Sequence, residues 1–293
     1  MIIHYHIHEV SEYINWIYFF HAWGFQPRYA SIAQIHGCDS CRALWLANFP
    51  ENERSKAAEA MQLFKEANRM LCQLDEKFYT HGLFRLLDAN SEGDDLWLEG
   101  RRFPLLRQQT AKEGEPYLCL SDFVRPLSQG IKDRIGLFAT TVDATMETLY
   151  AHDNYQQLLV QTLADRLAEA TAEKMHESIR KEFWGYAPHE QLTMTQLHNE
   201  EFQGIRPAVG YPSLPDQSIN FLLDELLDMK QIGIQLTENG MMQPHASVSG
   251  LMLAHPKACY FSVGKIDEQQ LESYASRRGM TIEEMRKFLG ANL

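Results

Sequence analysis

Gly204-Ile205-Arg206-Pro207-Ala208-Val209-Gly210-Tyr211-Pro212 breaks an otherwise regular pattern. With Pro215 shortly after, two glycines and three prolines fall close together, which excludes a regular element and predicts a structured loop. Such a loop suits a small zwitterion. Arg206 offers a planar fork that matches a carboxylate bidentately. The prolines fix the backbone while leaving neighbouring peptide groups free to bond a ligand. Gly210 permits close approach, and Tyr211 adds an aromatic face with a polar tip. The same composition also fits a proline-rich connector whose arginine caps a helix C-terminus.

Working outward, a helix is expected from Asp216 to about Lys230, and Thr193-x-x-Gln196 is a capping box opening a short helix. The longest helix should run from Tyr155 to Trp184 and stop near Gly185, with Leu159, Leu163, Leu167, Ala170, Ile179 and Phe183 on its apolar stripe. Ser55 to Leu74 reads as another helix. Strands are expected at Gly82–Leu87, Leu96–Glu99, Ile135–Val142 and Ser247–Leu253, with a turn over Asn90–Asp95. Cys259–Gly264 is read as the strand that returns after a hairpin turn at His255–Ala258. Asp267 and Thr281 open two closing helices. Strands and helices fall in separate runs, which defines the class as α+β.

The opening residues alternate His4, His6 and His8 with Ile3, Tyr5 and Ile7, the period of a strand. The three histidines either ligate a metal or are solvated on an edge strand; no carboxylate or cysteine pattern in the sequence completes a site. The aromatic run Tyr13, Trp16, Tyr18, Phe19, Phe20 and Trp23 reads as core. Cys38-Asp39-Ser40-Cys41 lacks the second pair of a zinc site, and a redox role needs a helix N-terminus, so a loop with two reduced thiols is the plainer reading. No residue set is singled out as a metal centre.

Among 293 residues, 39 are acidic and 27 basic, a net charge of −12. That surface disfavours nucleic acid and anionic membranes as partners. No apolar run is long enough to span a membrane, and few cysteines point to a reducing cytoplasm. Walker A, G-x-S-x-G, H-E-x-x-H and Rossmann glycine signatures are missing, as is the D-x-H-x-x-G pattern that presents histidine to cobalt.

The 204–212 stretch resembles the G-I-R-P-A-x-G-Y-P motif of the activation domain of cobalamin-dependent methionine synthase. Further segments resemble that family in the same order: Leu106–Thr110, Cys119–Val124, Ala164–Ala170, Trp184–Pro188, Ala246–Gly250 and Tyr274–Met280. The likeness runs from about Tyr13 to Leu289, with a divergent stretch near residues 30–50. It implies one C-shaped α+β domain over 1–293, with a divergent N-terminal segment 1–54, a twisted antiparallel sheet and flanking helices.

It also implies a shallow groove for S-adenosylmethionine (AdoMet). Carried over, Arg206 would pair with the AdoMet carboxylate, Ala208 would offer backbone contacts, and Tyr260 with Phe261 would line the adenosyl side. Glu169 and Glu200 would sit near the ligand's cationic groups, and Asn15, Gly210 and Tyr211 complete the expected site. Four positions depart from the family: Asn15 replaces an aspartate, Gln217 and Asn220 replace a histidine and a lysine, and Phe261 replaces a tyrosine.

The implied role is reductive methylation of cob(II)alamin held by separate methionine synthase modules, with methyltransferase activity only when they are present. A flavodoxin or other reductase would supply the electron. A flavodoxin, itself usually acidic, would need a local basic patch, for which Arg101, Arg102 and Arg107 are the nearby candidates. The alternative is a diverged binding or scaffold module that keeps the fold with weakened or lost AdoMet binding.

Overall fold

The computed structural model describes residues 1–293. Strand β1 (Ile2–His6) leads into helices α1 (Ile7–Ser11), α2 (Trp16–Ala22), α3 (Asp39–Ala47) and α4 (Arg54–Asp75). Strands β2 (Tyr79–Glu92), β3 (Asp95–Leu98), β4 (Arg101–Pro104) and β5 (Asp133–Val142) follow, then the long α5 (Asn154–Ser178) and short α6 (Met194–His198). After the 204–212 stretch come α7 (Ile219–Leu227), β6 (Gln235–Leu236), β7 (Met242–Gln243), β8 (Ser247–Met252), α8 (Glu268–Arg278) and α9 (Ile282–Phe288). No helix is long and apolar enough to cross a membrane.

The main sheet is antiparallel in the order β4-β3-β2-β5-β8, with β1 also paired to β2. β2 is long enough to take two neighbours along one side: Tyr79–Leu83 pairs with β1, and Ala89–Glu92 with β3. The nearly unbroken apolar run of β5 follows from burial on both faces. Phe138 packs beneath Ala168, Ala172 and Met175 of α5, while Leu137 and Ala139 face Ile219 and Leu223 of α7. Hydroxyls on the helix side are satisfied: Thr140 donates to the Ala168 carbonyl at 2.9 Å, and Thr171 to Thr80 Oγ1 at 2.7 Å. Phe19, Phe20 and Trp45 from the N-terminal segment share one apolar cluster with Leu159 and Leu163 of α5.

Several sequence expectations need correction. The turn at Asn90–Asp95 shrinks to Gly93-Asp94, because β2 continues to Glu92. α7 begins at Ile219; the buried Asp216 instead accepts hydrogen bonds from the Ser218 backbone and hydroxyl (2.8 Å each) and from the Tyr274 hydroxyl (2.7 Å). Cys259–Gly264 forms no strand and no hairpin. Its backbone is held by Pro212 and Ser213, with Val263 N donating to the Pro212 carbonyl at 2.9 Å and Phe261 N to Ser213 Oγ at 3.1 Å. β1 is an edge strand with exposed His4 and His6, but His8 lies on α1, where its imidazole meets Asp75 at 2.9 Å. A carboxylate from α4 therefore does reach the histidines. The Cys38–Cys41 segment is a helix start, with Cys38 as the N-cap of α3.

The long helix changes character before Gly185. Ile179–Phe183 is a π-turn, closed by Trp184 N donating to the Ile179 carbonyl at 2.9 Å. This wider turn carries Arg180 into the interior, where its side chain is fully buried, lies 2.5 Å from Glu190 and stacks 4.2 Å from the Phe202 ring centroid. The pair fixes the 186–202 segment against α5. Glu190→Ala would leave that guanidinium buried without its counter-charge, and is expected to lower unfolding free energy by about 3–5 kcal/mol in urea denaturation.

Candidate functional site

The 204–212 stretch lies along the outer edge of β8. Ile205 and Leu253 exchange backbone hydrogen bonds at 2.9 Å, Leu251 N donates to the Pro207 carbonyl at 3.0 Å, and Val209 N to the Ser249 carbonyl at 2.9 Å. The approach is so close that a Cβ on Gly250 would overlap the Pro207 carbonyl oxygen and sit 2.9 Å from the Ala208 Cα. Gly204, at φ +85°, is likewise pressed onto the Leu253 carbonyl. The proline-rich segment is thus a loop, as expected, but one that extends the sheet.

This placement points Arg206 under α5. Its side chain is 8% exposed, paired with Glu173, and 5.6 Å from the Phe138 ring centroid. Its backbone N–H donates to the Tyr260 hydroxyl at 2.9 Å. Burial opposes the charge on Arg206, but Glu173, Tyr260 and Glu169 more than offset it, so its pKa is raised. The Nε of Arg206 is buried without a hydrogen-bond partner.

A cavity of about 500 Å³ opens beside this arginine. One wall is the α5 stripe Arg166, Glu169, Ala170 and Glu173, whose spacing puts them on one helix face. A second is Leu197, His198 and Glu200, positioned by the Thr193–Gln196 capping box and by a left-handed Glu200 at φ +58°. Tyr13, Asn15 and Tyr18 close a third side, with His198 Nε2 3.1 Å from the Tyr13 carbonyl oxygen. Arg206 itself, with Pro207, Ala208, Tyr211, Pro212, Ser213, Tyr260 and Phe261, completes the lining.

The lining mixes apolar surface with charge and is slightly anionic: the carboxylates of Glu169, Glu173 and Glu200 outnumber the guanidinium groups of Arg166 and Arg206. The Tyr211 hydroxyl donates to Glu169 at 2.6 Å. Burial pushes the Tyr260 hydroxyl up to about 12. Asn15 is the N-cap of α2, its Oδ1 accepting the Ile17 N–H at 3.1 Å. Such a cavity can hold a compact ligand carrying both charges and an aromatic ring.

The residues singled out from sequence converge here. Asn15, Glu169, Glu200, Arg206, Ala208, Tyr211, Tyr260 and Phe261 all line the cavity. Gly210 does not; at φ +86° it forms the turn in which its N–H donates to the Leu214 carbonyl at 2.8 Å. Gln217 and Asn220 also lie outside the lining, both donating to the Gly240 carbonyl, at 3.2 and 2.8 Å. Sequence reasoning missed Arg166 and Glu173, which helical spacing from Glu169 could have found. It also placed Tyr18 with the core, whereas Tyr18 is 59% exposed and lines the cavity; Phe19 and Phe20 are core as expected, and Tyr13 packs against the same cluster while also lining the cavity.

The antiparallel sheet, its flanking helices and this cavity define an α+β domain with a cavity of small-molecule size. A family model described as "Vitamin B12 dependent methionine synthase, activation domain" matches residues 6–279, and the chain belongs to that family. Among solved structures it is similar to the MetH reactivation domain bound to AdoHcy, with 38% identity and a TM-score of 0.88 over 100% of this chain and 90% of that one.

Burial, and then the charge of Glu173, raises the Glu200 pKa above the ordinary glutamate value. A raised folded-state pKa gives stability that is full below the unfolded carboxylate range and is lost as pH rises through the folded value. Glu200→Gln cannot ionise, so it should raise the urea midpoint at neutral pH and leave it nearly unchanged at about pH 4. Paired denaturation curves at the two pH values check this.

Proposed function

We propose that the chain binds AdoMet in this cavity and supports reductive methylation of cob(II)alamin carried by separate methionine synthase modules. The observation that carries the reading is the convergence of Arg206, the Glu169–Glu173–Glu200 carboxylates and the Tyr211 and Tyr260 rings on one cavity, in a chain 38% identical to a reactivation domain bound to AdoHcy. AdoMet would supply the methyl group and leave as S-adenosylhomocysteine, and a partner's cobalamin would accept the methyl once reduced by one electron from a flavodoxin or other reductase.

The chain's own contribution is positioning. Arg206 faces the ligand carboxylate, while the acidic groups favour the sulfonium and ammonium, at about 1 kcal/mol per solvent-accessible pair. Tyr260 and Phe261 present ring faces to the adenosyl group, and the Ala208 backbone addresses its polar edge. Residues 1–293 act as one unit in this reading, with segment 1–54 included because Asn15 and Tyr18 line the same cavity as α5.

A diverged binding or scaffold module with weakened AdoMet affinity is the second reading. It is favoured by Arg206 being already engaged by Glu173, and by the Asn15 acceptor being taken up by its helix cap. Calorimetric titration with AdoMet separates the two. The first reading expects saturable binding that Arg206→Ala removes; no heat from the unaltered protein would leave the second.

Aspartate caps a helix as well as asparagine does. Asn15→Asp should therefore keep α2 intact and add a charge facing the ligand. A gain of about 0.5–1 kcal/mol, roughly two- to fivefold in Kd, is the expected calorimetric result.

A further inference from the structure

Away from the cavity, the chain gathers three soft donors at the start of α3. Cys38 Sγ accepts the Cys41 N–H at 3.4 Å, so the two cysteines occupy the N-cap and the first turn of the same helix. His36, two residues earlier, folds back toward them, and the ligand atoms of His36, Cys38 and Cys41 all lie within 4.8 Å of one another. None of the three lines the cavity. Both cysteines are free; Cys38 is exposed and Cys41 half-buried. The nearest cation on the helix, Arg42, is turned onto Asp39 at 3.4 Å.

These positions are close to what a metal needs. Zinc bonds of ~2.3 Å to sulfur and ~2.0 Å to nitrogen place tetrahedral ligand atoms about 3.5–3.8 Å apart. Side-chain rotation of about 1 Å brings three donors within 4.8 Å onto one ion. Two thiolates and an imidazole select a thiophilic cation over magnesium or calcium. The second cysteine pair sought in the sequence is unnecessary, because the third donor precedes the C-x-x-C.

We propose that His36, Cys38 and Cys41 form a surface site for zinc, with the fourth coordination position left to water. The site ties the turn after Gln34 to the first turn of α3, and binding releases the protons of the two thiols.

Cobalt(II) is the probe, added to the full chain kept reduced by a phosphine that does not hold the metal. The expected result is one cobalt per chain with sulfur-to-cobalt charge-transfer absorption, displaced by zinc. Cys38→Ser, whose side chain is exposed, and Cys41→Ser should each diminish that absorption, and the double variant should abolish it. His36→Ala should weaken binding at least about tenfold, the lower end of what even outer-shell partners contribute. Cys72→Ser and Cys259→Ser should change nothing. Cobalt held instead by His6, His8 and Asp75, the other cluster of ligating side chains, would give no sulfur band. Absence of the band in the unaltered protein, or its survival in the double serine variant, overturns the proposal.

Discussion

The backbone pairing of Ile205–Val209 with β8 is the constraint on which the cavity rests. It requires a residue without a side chain at 250, since any Cβ there would collide with the Pro207 carbonyl oxygen. Once the loop is laid down, Arg206 has nowhere to go except beneath α5. A guanidinium so enclosed must find a counter-charge, and Glu173 supplies it. The same contact therefore fixes the loop to the sheet, the loop to the helix, and the cavity wall between them.

A second enclosed arginine lies further along the same helical run, just past the end of α5. Arg180 is drawn inward by the π-turn and holds Glu190 and Phe202, which leaves Leu197, His198 and Glu200 facing the cavity. Both ion pairs are demanding, because each takes charge out of water and is worth little unless its geometry is kept. They explain how an anionic cavity lining is maintained: the acidic groups sit on segments anchored by ion pairs within the protein.

Much of this was legible in the sequence, for identifiable reasons. α4 and α5 carry a helical periodicity set by the faces they bury, and β5 a run of apolar, small and β-branched residues set by burial on both faces, so all three can be read from the sequence. Thr193, Asp267 and Thr281 mark helix starts because their side chains accept from the third residue on. Cys259–Gly264 misled because its apolar content reflects packing beside Ser213 and the C-terminal helices, not pairing in a ladder. Tyr18 was hidden among true core aromatics, since local sequence does not record which ring faces open space. Asp75 beside His8, and His36 beside Cys38 and Cys41, were unreadable as clusters because distant contact and backbone reversal do not follow from spacing alone.

The cavity's walls come from residues 13–18, 166–173, 197–213 and 260–261, segments far apart along the chain. Whatever fills it is a non-covalent cross-link between the N-terminal helices, the long helix and the C-terminal third. Occupancy then couples to the folding equilibrium, and ligand at a hundred times its Kd would add about 2.7 kcal/mol to the free energy of unfolding. Ligand supply would in that way set how long the polypeptide survives in its folded form.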